Sequence, residues 1–358
     1  MSSRPHVLVA RLDNEGDVLL AGPAVRAVAA GARRVTMLCG PRGRAAADLL
    51  PGVDEVLVHR AAWIDPDPEP EPLSAEATLA LVDEIAARGV DQALVLTSFH
   101  QSALPLALLL RMAGVPRIAA VSEDFPGSLL DIRHQVPLDV HEVERSLSLA
   151  ASLGHHLPVD DDGRLRVRRA ASGVLPEAVA DWVAEGPYVV VHPGASAPAR
   201  AFGARRSAVL VDALVEAGRR VIVTGGPSET ALTAFVTGAS GSERLDAGGT
   251  TTLAELAEVL VGADAVVVGN TGPAHLAAAV GTPVASPFAP VVPAERWRPW
   301  RVPHELLYAP VPCAGCRARE CPVPGHPCLE GVSIDAVVAA VERLTPAARP
   351  VPAREAVA

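Results

Sequence analysis

Short apolar runs rich in Val and Leu alternate with longer segments whose apolar residues recur at helical spacing, the pattern of parallel strands covered by helices. In the first half the runs predict strands at His6–Arg11, Arg34–Cys39, Glu55–Val58, Asp91–Thr97 and Arg117–Val121. Between and after them, helices are predicted at Val18–Ala30, Ala45–Leu50, Ala75–Arg88, Ser102–Ala113 and His141–Leu153. The acidic, proline-rich stretch Asp65–Pro72 can be neither helix nor central strand and reads as a solvated loop. A polar stretch from Asp160 to Gly173 follows, and then the pattern restarts. Strands are predicted at Tyr188–His192, Arg220–Thr224, Ala265–Gly269 and Pro283–Ser286, with helices near Arg206–Ala217, Ser228–Thr237, Leu253–Val261 and Ala274–Val280. An amphipathic helix, Ile334–Leu344, comes last.

The expected architecture is therefore α/β, with two Rossmann-like domains of similar size: residues 1–172, residues 173–345, and a tail at 346–358. Two such domains facing one another create a central cleft, and open parallel sheets bind ligands beyond the carboxyl ends of their strands. Chemistry is sought in the loops that follow strands.

Hydrophobic residues make up 49% of the 358, enough for a sizeable core. All 31 basic residues are Arg; the chain has no lysine. That excludes Schiff-base catalysis, pyridoxal anchoring and the lysine of a G-x-x-x-x-G-K-[ST] phosphate loop. A formal net charge of −10 argues against nucleic acid as a partner. No apolar run approaches the length of a membrane span, and the first residues lead straight into a strand-like run, so a cytoplasmic protein is expected. Four of the five cysteines fall between Cys313 and Cys328, which fits a reducing compartment better than a disulfide framework.

Four loops carry candidate chemistry. The first, Leu12 to Asp17, places Asp13, Asn14, Gly16 and Asp17 between the first strand and its helix. Asp17 there is either a cap of that helix or a general base at the mouth of the cleft. The second, after Tyr188–His192, runs through Gly194, Ala195 and Ser196 to Arg200: small residues admit an anion to the backbone N–H groups, and the guanidinium offers a fork for phosphate oxygens. The third, Gly225 to Glu229, puts a carboxylate at a helix start, where it accepts ribose hydroxyls or complements the helix dipole. The fourth is the most informative. Asn270, Thr271, Gly272, Pro273 and His275 follow the strand at 265–269, and Pro273 suits the first helical turn, so a helix N-terminus presents N–H groups to a diphosphate.

In order and spacing these four loops, with the helix start His141-Glu142-Val143-Glu144 and the closing cysteine segment, resemble the ADP-heptose:lipopolysaccharide heptosyltransferases, glycosyltransferase family nine, from about residue 6 to about 344. The resemblance implies a GT-B fold whose N-terminal domain binds the acceptor and whose C-terminal domain binds a nucleotide diphosphate sugar. It implies an inverting glycosyltransferase that moves heptose from ADP-heptose to a hydroxyl of a glycan or metabolite, without a catalytic cofactor. Asp17 would be the base, Asn270, Thr271, Gly272 and His275 would meet the diphosphate beside Arg200, and Glu229 would lie on the nucleoside side. Two positions depart from the pattern: Arg200 stands where many relatives have Lys, and Asn270 where some have Asp. Two other readings differ in class: a GT-B sugar-nucleotide epimerase, which would turn over the donor without an acceptor, and a non-catalytic nucleotide-sugar-binding relative, against which the retained Gly16-Asp17 speaks. Family members act on lipid-linked acceptors at the inner face of a membrane. The acidic charge and the lack of a basic amphipathic helix here limit the expectation to peripheral contact.

Cys313, Cys316, Cys321 and Cys328 have C-x₂-C-x₄-C-x₆-C spacing, with His326 nearby. A structural zinc and a compact reduced loop both fit that spacing. Cys39, alone after a strand, reads as a small core residue.

Overall fold

The computed structural model describes residues 4–64, 74–137, 139–169 and 175–345. The proline-rich loop, the expected boundary at 172/173 and the tail 346–358 lie outside the described residues. The chain forms two compact units that divide between Arg168 and Arg169.

The first unit holds strands β1 (His6–Arg11), β2 (Arg34–Cys39), β3 (Glu55–Val58), β4 (Gln92–Leu96), β5 (Arg117–Val121) and β6 (Ile132–His134). They form one parallel sheet in the order β3-β2-β1-β4-β5-β6. All six residues of β1 are buried, as expected of a central parallel strand covered by helices on both faces. Alternation still sorts them: Leu8 and Ala10 join Ala93, Val95, Ile118 and Ala120 in a core closed by Ile85, Leu106 and Leu110 from helices Ala75–Ala87 and Leu104–Met112.

The second unit holds β7 (Val189–His192), β8 (Val221–Gly225), β9 (Arg244–Gly248), β10 (Ala265–Val268), β11 (Val284–Pro287) and β12 (His304–Leu307), again all parallel, in the order β12-β11-β10-β7-β8-β9. Counted from its own first strand, this is the same winding as in the first unit. Val189, Val191, Val221, Val223 and Val267 meet Leu210 and Leu214 of helix Ala204–Glu216 and Val337 and Val341 of helix Ile334–Leu344. In each sheet the order reverses between the first and fourth strands, β1 and β4 in one and β7 and β10 in the other. Connections leave in opposite directions at such a point and open a crevice at the carboxyl ends. All four candidate loops start at carboxyl ends. Those after β1, β7 and β10 border the two crevices, and the Glu229 loop follows β8, next to β7.

Three strands depart from the sequence expectation, β6, β9 and β12, none of which carries an apolar run. The helix expected over Val18–Ala30 is two helices, Glu15–Leu20 and Gly22–Gly31, because Pro23 sits in the first turn of the second and starts it afresh.

Candidate active site

At the carboxyl end of β1, Arg11 pairs in register with Cys39 of β2 and Leu96 of β4, and its side chain is only 2% exposed. A buried guanidinium needs partners, and it has three carboxylates. Its Nη2 donates to Asp17 Oδ1 at 2.8 Å and to Ser98 Oγ at 3.0 Å. Its Nη1 lies 3.4 Å from Glu142 Oε2, from the first turn of helix Glu142–Ser152. Its Nε lies 2.7 Å from Asp13 Oδ2, close enough for an ion pair but not aligned as a hydrogen bond. Burial works against the Arg11 charge, but the three carboxylates outweigh it and hold the guanidinium above its ordinary value.

Asp13 is itself buried, and Gln101 Nε2 donates to its Oδ1 at 2.5 Å. Gln101 is fixed in turn by the backbone N–H of Ser98, which donates to its Oε1 at 3.0 Å. Burial pushes the Asp13 carboxyl up to about 6, against the pull of Arg11, with repulsion from Asp17 and Glu142 adding to the rise and the Gln101 bond opposing it. Arg145 stands 3.7 Å from Glu142 and donates to the Thr97 carbonyl. The cluster thus sets two cations against three carboxylates.

Asn14 occupies the N-cap of helix Glu15–Leu20 without a side-chain capping bond. Asp17 is in the first turn, 20% exposed, with its carboxylate turned to Arg11. Gly16 is buried beside Asp17, and burial also raises the neighbouring Glu15 carboxyl.

In the second unit the loop after β7 starts from His192, whose Nδ1 lies 3.0 Å from Thr224 Oγ1 and whose Nε2 lies 3.9 Å from Glu229 Oε2. Burial pushes this imidazole below its ordinary value, partly countered by Glu229. Glu229 closes the turn Pro227–Glu229 on itself, its Oε2 accepting from the Gly226 N–H at 2.8 Å. The same carboxylate packs so closely on Gly194 that a Cβ there would stand 2.0 Å from Glu229 Oε1. Ala195 and Ser196 lie on the outer part of this loop, Ser196 exposed. Arg200 ends the turn Pro198–Arg200, and its carbonyl oxygen would be 2.4 Å from a Cβ at Gly269, so the β7 and β10 loops touch only because position 269 is glycine.

Helix Gly272–Val280 begins two residues earlier than expected, with Thr271 at the N-cap and Pro273 in its first turn. Thr271 Oγ1 is buried and has no hydrogen-bond partner among the described residues. His275 is buried in the same turn. Asn270 is placed differently from the rest. Its Nδ2 donates to the Ala289 carbonyl and its Oδ1 accepts from the Ala289 N–H, both at 3.2 Å, so its amide ties the β10 loop to the chain leaving β11.

Cys313, Cys316, Cys321 and Cys328 are all thiols and, with His326, line one small pocket of about 30 Å³. Burial and the neighbouring Cys321 and Cys313 raise the Cys328 thiol. Yet among the described residues no three His, Cys, Asp or Glu are grouped as a metal ion requires. The segment also ties to the chain after β7 and after β11 through its backbone. The Ala199 N–H donates to the Arg319 carbonyl at 2.9 Å, and the Gly315 N–H to the Pro290 carbonyl at 2.7 Å. Cys39 is buried, its thiol pushed up to about 12 by burial. Among the described residues no helix is long and apolar enough to cross a membrane.

Sequence reasoning named Asp13, Asp17, Arg200, Glu229 and the residues from 270 to 275 but missed Arg11, Ser98, Gln101 and Arg145. The one available signal was an arginine closing an otherwise apolar strand, followed by carboxylates two and six residues later.

Comparison with known proteins bears on the family and the fold. The family model described as Glycosyltransferase family 9 (heptosyltransferase) matches residues 78–326, more than half of the chain. Among solved structures, the glycosyl transferase family 9 protein from Veillonella parvula is 17% identical, with 97% of this chain and 98% of that one covered and a TM-score of 0.78. The E. coli ADP-heptose lps heptosyltransferase II is 16% identical over 95% of this chain and 98% of its own, TM-score 0.70. The E. coli heptosyltransferase WaaC, solved with ADP-2-deoxy-2-fluoro heptose, is 19% identical over 94% and 99%, TM-score 0.63. No curated protein matches. The fold shared with these structures is the GT-B fold. With the family model spanning residues of both units, the chain belongs to glycosyltransferase family 9, the heptosyltransferases, and is a glycosyltransferase.

Proposed function

We propose that this glycosyltransferase moves heptose from ADP-heptose to a hydroxyl of a glycan or metabolite, with inversion, and that Asp17 is the base. The observation that carries the donor side is the start of helix Gly272–Val280, where a buried hydroxyl without a partner, Thr271 Oγ1, sits at a helix N-terminus beside the Arg200 loop. N–H groups and a helix dipole at that place suit a diphosphate. WaaC, with its ADP-heptose analogue, supports ADP-heptose as the donor.

When the bond from the anomeric carbon to the donor phosphate oxygen breaks, its electron pair goes to the diphosphate. The helix start and Arg200 stabilise the charge that forms there. The acceptor oxygen attacks the anomeric carbon as its proton passes to Asp17, whose partial exposure leaves the carboxylate reachable. Arg11 holds that carboxylate in one orientation. In this reading Gly194, Ala195 and Ser196 line the diphosphate loop, Glu229 lies toward the nucleoside, and Asp13, Asn14 and Gly16 shape the acceptor side. The reading extends to a cytoplasmic protein with at most peripheral membrane contact, supported by its free thiols.

Calorimetry with ADP, UDP, GDP and dTDP tests the donor: ADP binds, and Gly272→Asp, which sets a carboxylate against the diphosphate, abolishes binding while the fold survives. Unchanged ADP affinity in that variant overturns the assignment of this helix. For the base, Asp17→Asn folds and binds ADP normally but loses roughly two to four decades of turnover; transfer at the native rate would reduce Asp17 to a partner of Arg11.

A further inference from the structure

Three carboxylates share one buried guanidinium at the end of β1, and the arrangement is more than the base alone requires. Asp17 needs one orienting cation. It shares that cation with Glu142 and with Asp13, which is 7% exposed and held at its other oxygen by Gln101. Asp13 and Asp17 reach different nitrogens of the same planar group, Nε and Nη2, so neither displaces the other and each feels the charge the other leaves uncompensated.

We propose that Asp13 is a positioning residue for Asp17, acting through Arg11: its ionised form shares the guanidinium charge and leaves Asp17 a competent proton acceptor, and its protonated form leaves that charge to Asp17 and silences it. The inference rests on the reading of Asp17 as the base. The charged and titratable groups that face Asp13 are Arg11 on β1, Asp17 in the first helix, and Glu142 with Arg145 on helix Glu142–Ser152; Gln101 and Ser98 after β4 are neutral. With all of them ionised, two positive charges meet three negative ones in a nearly dry site, and a single proton balances the cluster. Asp13 is the carboxyl that takes it, because Asp17 and Glu142 each accept a hydrogen bond from Arg11 and the buried Asp13 does not; burial raises it to about 6. Turnover should therefore fall as pH drops through about 6, above the ordinary carboxylate range of about 4. The Gln101 N–H, which donates to the ionised form, keeps this limb from lying higher.

The test uses the full chain with aspartate carboxyl carbons labelled, and it reads two quantities across pH 4.5 to 8. One is the carboxyl NMR titration; the other is ADP release from ADP-heptose with water as acceptor. In the native protein the Asp17 resonance shifts through an inflection at the Asp13 midpoint, and ADP release falls about tenfold per pH unit below it. Asp13→Asn, a permanent stand-in for the protonated form, removes both the inflection and the limb and holds turnover at every pH at or below the rate the native protein shows at pH 4.5. Gln101→Met, which keeps every charge of the cluster, moves both to higher pH; it also keeps the test open should Asp13→Asn fail to fold. An Asp17 resonance without that inflection, or an unchanged pH–rate profile in Asp13→Asn, overturns the proposal. Asp17→Asn is measured in parallel. If it turns over at the native rate, the base reading fails and takes this inference with it. If it is inactive while Asp13→Asn matches the native profile, only this inference fails.

Discussion

Replacing Asn270 by Asp changes one NH₂ group into an oxygen and tests whether this residue braces the loop after β10 against the chain leaving β11. In the native protein the amide gives one hydrogen bond to Ala289 and takes one from it, both at 3.2 Å, in a site where Asn270 is 4% exposed. An aspartate keeps the bond from the Ala289 N–H but turns a second acceptor toward the Ala289 carbonyl. The lost bond costs about 1 kcal/mol, and the buried carbonyl left facing a carboxylate about 2 more. In a unit of this size about 3 kcal/mol lowers the melting temperature by about 6–12 °C. The pH dependence gives the sharper reading. A carboxyl that repels its neighbour when ionised, and donates to it when protonated, has its folded-state pKa raised above the unfolded value of about 3.9. The folded state then holds more protons, so the variant's stability is greatest below about pH 4 and is lost as pH rises through the raised value. Thermal melts of both proteins from pH 4 to 8 should show a gap that is small at the acid end and widens to a plateau. A gap of less than about 0.5 kcal/mol, or one that does not vary with pH, would refute the bracing role.

Removing the cation at the end of β1 should be harsher still. Arg11→Met leaves Asp13, Asp17 and Glu142 buried without their shared partner and should cost about 3–5 kcal/mol. Asp13 already titrates near 6 with Arg11 present; without it the midpoint rises further, so the deficit in denaturant melts should grow as pH rises from about 4 past 6. A deficit that shrinks over that range would mean the carboxylates find other partners. For the cysteine segment, metal analysis of freshly purified protein should give well below one zinc per chain, with Cys316 open to a thiol reagent in the folded protein, because the donors line one pocket without gathering at a point. One tightly held zinc per chain would show that they close upon an ion.

The parts of the fold that were legible in the sequence are those where burial leaves a period. Central strands such as Val7–Ala10 and Val189–Val191 are apolar on both faces and stand out. The three missed strands, β6, β9 and β12, are all at sheet edges, where Ile132-Arg133-His134 or His304-Glu305-Leu306-Leu307 are half-exposed and carry no such run. In the site, local loops such as 270–275 were readable because their glycines, proline and hydroxyl act on neighbouring residues. The Arg11 cluster was not. Glu142 lies 131 positions from Arg11 and Ser98 lies 87, and only the winding of the sheet brings such residues together. The bonds of the Asn270 amide to Ala289, 19 positions on, were not legible either, because spacing says where a side chain starts and not which backbone group it finds.

The two sheets also make the chain severable. Every strand pairing described lies inside one unit, and a cut between Arg168 and Arg169 breaks none of them. Each half would carry its own complete winding scheme, with its reversal point and its carboxyl-end loops intact. Segmental ligation at that junction would then let isotopes be confined to one half, so that spectra of the second unit could be followed without interference from the Arg11 cluster, and the reverse.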